Sequence, residues 1–252
     1  MSAPSALAIF AAGLIAGGIN VIVGSGSLVT FPTLLALGYP PVLANVSNTV
    51  GLVPGSMSAV VAYRHELVGQ EHRLMRLAPA SLVGGLAGGA LLLALPHQLF
   101  KSAVPVLVLA AALLMAAQPA VSRWLGQRGD RPAHPTAPLL AGIFVTGIYG
   151  GYFGAAQGVI LIALLATFVD DDLQRLNGTK NALALIANLV SGLLFIAFTH
   201  VAWAVSGLIA AGSIIGGQVG GRYGRRLPAP VLRWIVVVAG LGVAIALAVE
   251  WH

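Results

Sequence analysis

The sequence predicts an all-α integral membrane protein built from two repeats of inverted topology. Each repeat is expected to hold three full transmembrane helices and a re-entrant or broken helix pair. Three observations carry this. The chain is 58% hydrophobic and 8% charged, with a mean hydropathy of +0.93, which excludes an ordinary soluble domain. A shift of 132 positions lays the second half on the first without a gap, Gly18 on Gly150 and Gly26 on Gly158. The basic residues fall between apolar runs in a pattern that fixes orientation.

Five apolar segments are read in each half, at about 5–23, 28–38, 42–63, 76–95 and 100–118, then 137–154, 158–169, 176–198, 204–221 and 230–249. Residues 1–118 form the first repeat, 119–136 a cytoplasmic linker and 137–252 the second repeat. The second segment of each half spans about 11 residues. At ~1.5 Å per residue it crosses only about half of a ~30 Å hydrocarbon core.

Basic residues cluster at Arg64/Arg73/Arg76, Arg123/Arg128/Arg131, Arg175/Lys180 and Arg222/Arg225/Arg226/Arg233, with Lys101 apart. Placing all four clusters in the cytoplasm sends the third segment inward in the first half and outward in the second. The first two segments of each half must then enter and leave on one side, as a long helix, a turn near mid-membrane and a short returning helix. Both termini come to lie outside. One broken span in place of the pair would change that parity.

The first turn reads Gly24-Ser25-Gly26-Ser27 and the second Ala156-Gln157-Gly158. Irregular backbone at membrane depth is tolerated where it is buried in protein or lines a polar cavity. Each turn leads into a short helix whose first N–H groups are expected to be unpaired and partly positive, an anion site in principle. Tight packing of small residues is the plainer alternative. Asn45, Ser47 and Asn48 open the third segment of the first half, and Asn177, Thr179 and Lys180 that of the second. They add amides, hydroxyls and one charge. An intramembrane lysine is a functional candidate by default, although Lys180 also has a route to the headgroups by snorkelling. The paired glycines Gly84-Gly85/Gly88-Gly89 and Gly216-Gly217/Gly220-Gly221 read as helix-packing surfaces.

All seven carboxylates and all six histidines map to loops or segment ends. Proton relays and cation sites in membranes generally use such groups inside the spans. A cation transporter and a carboxylate proton pump are therefore disfavoured, and an anionic substrate is favoured. A serine hydrolase would need a base beside Ser25 or Ser27, and no span supplies one. With no cysteine, disulfides and thiol catalysis are excluded. The basic residues form no aromatic-interleaved patch, so no nucleic acid is expected. The expected partners are a small anion and the lipid bilayer; no cofactor or metal is called for, and the oligomeric state is left open.

The chain resembles the sulfite exporter TauE/SafE family. Gly24-Ser25-Gly26-Ser27-Leu28-Val29-Thr30-Phe31-Pro32 looks like the family's glycine-rich turn ending in proline. Gly38-Tyr39-Pro40-Pro41, Ala44 to Asn48, Gly150-Gly151-Tyr152-Phe153-Gly154 and Thr179-Lys180-Asn181 with Asn188 look like its further motifs. Ser25, Ser27, Ala155 and Ala156 stand where the family more often has glycine, and Ser47-Asn48 replaces the more frequent Thr-Ser. The resemblance implies export across the inner membrane of sulfite, sulfoacetate or a related organosulfonate. Alternating access is expected; a passive anion channel and an anion sensor are competing readings on the same scaffold.

Overall fold

The repeat seen in the sequence returns as a repeat of elements. The computed structural model describes residues 1–126, 136–223 and the isolated positions 234, 237, 238, 241 and 242. The first half contributes α1 (Ala3–Ile22), α2 (Ser27–Ala36), α3 (Pro41–Ala62), a single 3₁₀ turn (Arg64–Leu67), α4 (Glu71–Ala94) and α5 (His97–Gly126). The second contributes α6 (Ala137–Tyr152), α7 (Gln157–Phe168), α8 (Leu173–Phe198) and α9 (Trp203–Tyr223). The third helices start at Pro41 and Leu173, and the fourth at Glu71 and Trp203, again 132 positions apart. The expected segment at 230–249 lies outside the described residues apart from those isolated positions. Helix α5 runs to Gly126, so it continues into the stretch read as a linker from residue 119.

Among the described residues five helices are long and apolar enough to cross a membrane: Ala3–Ile22, Glu71–Ala94, His97–Ala117, Leu173–Phe198 and Trp203–Arg222. Helix α3 is long enough, at 22 residues, but is not among them. Its sequence carries Asn45, Ser47, Asn48, Thr49, Ser56 and Ser58, all buried, so its polarity is turned inward. Outward-facing positions are apolar: Leu7, Val106, Val145, Phe198 and Trp203 are all exposed. This is the pattern of a multi-pass membrane protein, in which lipid takes the place of water around the apolar surface.

Each short helix folds back along the long one before it. A Cβ on Gly26 would lie 2.7 Å from the Ala16 carbonyl oxygen, and Tyr39, just beyond α2, reaches Met1 (Oη to Sδ, 4.0 Å). In the second half Gln157 lies over Gly150, and a Cβ on Gly142 would meet Leu164 at 2.9 Å. Both pairs are antiparallel hairpins, not single broken spans.

The fourth helices are exchanged between the halves. Helix α9 packs along α1 and α3, and α4 packs along α6 and α8. The paired glycines make this possible. Gly17 faces Ser213, Gly55 faces Ser213, and a Cβ on Gly216 would overlap the Leu14 carbonyl. On the other side Gly84 and Gly88 meet the carbonyls of Phe144 and Ile148, while Gly85 faces Ala187 and Gly89 faces Ser191. Only glycine permits such backbone approach. Two bundles result: α1, α2, α3 and α9 form one, and α4, α6, α7 and α8 the other.

The bundles meet along α3 and α8, which run antiparallel. Tyr63 at the end of α3 donates to Gln174 at the start of α8 (3.3 Å), and Gly192 faces Val50 and Val53. Several of the basic clusters share one end of the molecule. Arg73 and Arg175 both bind Asp171, at 2.6 and 2.9 Å, and Gly221, beside Arg222, packs on Ala62 next to Tyr63 and Arg64. Helix α5 lies against α2, α3 and α7 and sets Phe100 beside Tyr152 and Phe153, with ring centroids 5.5 and 6.3 Å away.

Candidate functional site

The two turns are built by the same helix-ending chemistry. At the end of α1 the N–H groups of Val23 and Gly24 both reach the Ile19 carbonyl (2.8 and 3.3 Å), and Gly24 takes φ +84°. At the end of α6, Phe153 and Gly154 reach the Tyr149 carbonyl (2.9 and 3.0 Å), and Gly154 takes φ +78°. Such a left-handed residue satisfies orphan carbonyls and reverses the chain, and glycine adopts it without strain. Ala156 also sits in the left-handed region, at φ 60°, where it is the repeat partner of Gly24. A non-glycine residue held there is strained, and such strain concentrates at ligand clamps and switch regions.

The turns touch. Gly158 donates its N–H to the Gly24 carbonyl (3.1 Å), and a Cβ on either glycine would lie 2.5 Å from the other's Cα. This departs from the expectation of unpaired amides. Gln157 N–H reaches Gly154 O (3.3 Å), Val159 N–H reaches Ala156 O (3.0 Å), and Leu28 and Val29 reach Ser25 O and Gly26 O (3.1 and 3.0 Å). Buried N–H groups pair with whichever carbonyl the turn brings within reach. In this closed arrangement no gap for an ion separates Gly24 from Gly158.

A polar ring surrounds the first turn. Ser25 is buried and donates to Met115 Sδ (3.2 Å), and Gly26 N–H points at Asn20 Oδ1 (3.5 Å). Asn48 donates to Ser27 Oγ (3.2 Å) and accepts from the Thr30 hydroxyl. The second turn is less well satisfied. Gln157 is 2% exposed, and neither its Nε2 nor its Oε1 has a hydrogen-bond partner. Asn45 is 1% exposed; its Nδ2 donates to Tyr152 O (2.9 Å), and its Oδ1 has none. Ala156 is buried as well.

Lys180 is 1% exposed and does not snorkel to the surface. Its Nζ points at the carbonyls of Val21 (3.4 Å) and Ile22 (3.5 Å), and Asn181 Nδ2 also reaches Val21 O (3.4 Å). These are the last carbonyls of α1, the negative end of that helix. The arrangement is reciprocal: α8 sends an ammonium and an amide to the tip of α1, and α3 sends the Asn45 amide to the tip of α6.

Ser47 and Thr179 are placed elsewhere. Ser47 Oγ accepts from Ala202 N–H (3.0 Å), and Thr179 donates to Gln70 Oε1 (2.8 Å). Gln70 and Ala202 are repeat partners, each the residue just before or leading into a fourth helix. Both hydroxyls therefore tie a third helix to the exchanged fourth helix. Asn177 is half-buried and makes no hydrogen bond to either turn among the described residues.

Asn20 and Met115 join the site without having been singled out in the sequence, and Thr30 and Asn181, quoted there only within the family-like motifs, join it as well. A lone amide in the apolar run 5–23 was the available signal for Asn20, and adjacency to Lys180 that for Asn181. Met115 is one of many apolar residues in α5, so the sequence carries no signal for it.

At the charged end, burial raises the Asp171 carboxyl. The hydrogen bond from Arg73, the Asp172 N–H and the charges of Arg73 and Arg175 outweigh this and hold it below the ordinary carboxylate value. Gln70 joins the cluster, accepting from Arg73 (2.5 Å) and donating to Arg175 O (3.0 Å).

Comparison with known proteins gives a consistent picture. The chain is 27% identical over 246 residues to a probable membrane transporter protein, ORF9, of a Sinorhizobium species, covering 96% of this chain and 92% of that one. It is 26% identical over 230 residues to a probable membrane transporter protein of Haemophilus influenzae, covering 91% and 89%. It is 27% identical over 245 residues to the probable membrane transporter protein YfcA of Escherichia coli K12, covering 97% and 90%. The family model for the sulfite exporter TauE/SafE matches residues 9–247. The protein is a membrane transporter and not an enzyme, and it belongs to the sulfite exporter TauE/SafE family.

Proposed function

We propose that this transporter exports a small sulfur-containing anion, sulfite, sulfoacetate or a related organosulfonate, across the inner membrane by alternating access. The observation that carries the reading is the set of buried polar groups around the touching turns: the Lys180 ammonium held on backbone carbonyls, and the Gln157 amide with no partner. An anion is their natural complement, because an ammonium and an amide N–H stabilise negative charge at low dielectric.

The antiparallel run of α3 and α8, equivalent helices of the two halves, supports the inverted repeat. The gathering of arginines at one end supports a cytoplasmic face there and both termini outside. Alternating access then consists of the two bundles parting at the turns. Parting breaks the Gly158–Gly24 hydrogen bond and frees the Gly158 N–H. Gly24, Ser25, Gly26, Ser27, Ala156, Gln157 and Gly158 form the walls, with Asn45, Asn48 and Lys180 as ligands. Ser47 and Thr179 hold the third helices in place. An interior-negative potential drives an anion outward by ~2.3 kcal/mol per charge per 100 mV, so export of such an anion needs no proton relay.

Lys180→Ala is the direct test. The variant is expected to reach the membrane and melt as a folded protein, while anion flux in proteoliposomes drops at least about tenfold. Flux equal to that of the parent protein would remove Lys180 from the site.

A further inference from the structure

The unpaired groups around the second turn are of two kinds, and the difference narrows the substrate. Gln157 Nε2 is a donor and calls for an acceptor; Lys180, paired with the Val21 and Ile22 carbonyls at the first turn, adds positive charge nearby. Asn45 Oδ1 is an acceptor: its amide is oriented by the bond from Nδ2 to Tyr152 O, which leaves the oxygen facing away from that carbonyl. Gln157 carries a second unpaired acceptor whichever way its amide is turned. Asn45 and Gln157 come from different halves and flank the same last turn of α6, Asn45 on Tyr152 and Gln157 over Gly150. Both are almost wholly buried.

A buried acceptor is costly unless a donor meets it. A fully deprotonated, acceptor-only anion satisfies the ammonium and the amide N–H and leaves both amide oxygens unpaired. An anion that also carries an O–H or N–H satisfies both kinds. We infer, on the footing of the function proposed above, that the preferred substrate is a sulfonate bearing its own hydrogen-bond donor, such as a hydroxyalkanesulfonate, and that Gln157 Oε1 receives that donor. A site built to hydrogen-bond a substrate hydroxyl discriminates strongly against the analogue in which a methyl replaces it, because the buried protein groups are then stranded.

The test is a matched pair of monoanions, 2-hydroxyethanesulfonate and 1-propanesulfonate, of equal charge and similar size. Each is applied to proteoliposomes of the full chain, and transport currents are recorded over a range of concentrations. The half-saturating concentration of the hydroxy compound is expected to be at least about tenfold lower. In Gln157→Met the ratio of the two half-saturating concentrations should shrink toward one. Equal half-saturation of the two compounds by the parent protein would overturn the donor requirement while leaving sulfonate transport standing. An unchanged ratio in Gln157→Met would overturn the assignment to Gln157. Movement of neither compound would overturn the sulfonate reading itself, and this inference with it.

Discussion

The geometry around Lys180 bears directly on the role proposed for it. Its ammonium sits at the C-terminal end of α1, where helix carbonyls concentrate negative charge, and that placement makes burial of the cation tolerable. On the function proposed above, the same ammonium meets the anion when the turns part. The residue type was legible in the sequence as an intramembrane candidate; its partners were not, because they are backbone atoms 158 and 159 positions away. The same holds for Ser47 and Thr179, visible as hydroxyls at a helix start but bonded to Ala202 and Gln70. Asp171 gives a test at this scale. Its folded-state pKa is depressed, so its contribution to stability is present above the unfolded carboxyl value, near ~3.9, and is lost as pH falls through the lower folded value. The melting temperature of the parent protein should therefore decline as pH falls below about 4 through this group. Asp171→Asn should start lower at neutral pH and lose less over that acid range. Parallel acid profiles for the two proteins would remove Asp171 from the account.

Among the elements, the fourth helices decide the architecture. Their glycines were legible as packing surfaces, but the sequence does not say which helix each surface meets. Two similar double-glycine faces fit several partners on paper, and only the summed backbone fit selects α9 against α1 and α3, and α4 against α6 and α8. The hairpins were easier to read. A segment too short to cross, placed after a glycine-rich turn, has to return to its own side, and charge parity gave the same result. The hydrogen bond between the turns was not readable, since it joins Gly24 to Gly158 across the repeat boundary. The packing account predicts a contrast within one helix. Gly216→Ala places a methyl on the Leu14 carbonyl and should destabilise the protein by about 1–3 kcal/mol. Gly207→Ala, with nothing within 4 Å of its Cβ, should be neutral or slightly stabilising, since alanine is the better helix former by about 1 kcal/mol. Melting temperatures in one detergent decide this; equal effects of the two substitutions would refute it.

At the scale of the whole molecule, the exchanged helices mean that the units packed as bodies are not the two halves of the sequence. The bundles α1–α2–α3–α9 and α4–α6–α7–α8 each draw on both halves, and the connections between them cross the seam. The chain has no cysteine, so pairs can be introduced without altering a background. Ser58→Cys with Gly217→Cys joins α3 to α9 inside one bundle, where a Cβ on Gly217 would lie 3.3 Å from that of Ser58. Val50→Cys with Gly192→Cys joins α3 to α8 across the seam. Oxidation should leave flux intact in the first double variant and block it in the second, with recovery on reduction. Block by the first pair alone would show that motion occurs within the bundle.

On the function proposed above, the touching turns open to carry a sulfur-containing anion. The measurement that tests it most directly is flux of sulfite and sulfoacetate into or out of liposomes containing the purified protein. It is made under an imposed potential, with chloride and sulfate as controls. Saturable, potential-driven flux of at least one of the two sulfur anions is expected, with counterflow and much less movement of chloride. Flux of neither above empty liposomes, from protein shown to be folded, would contradict it.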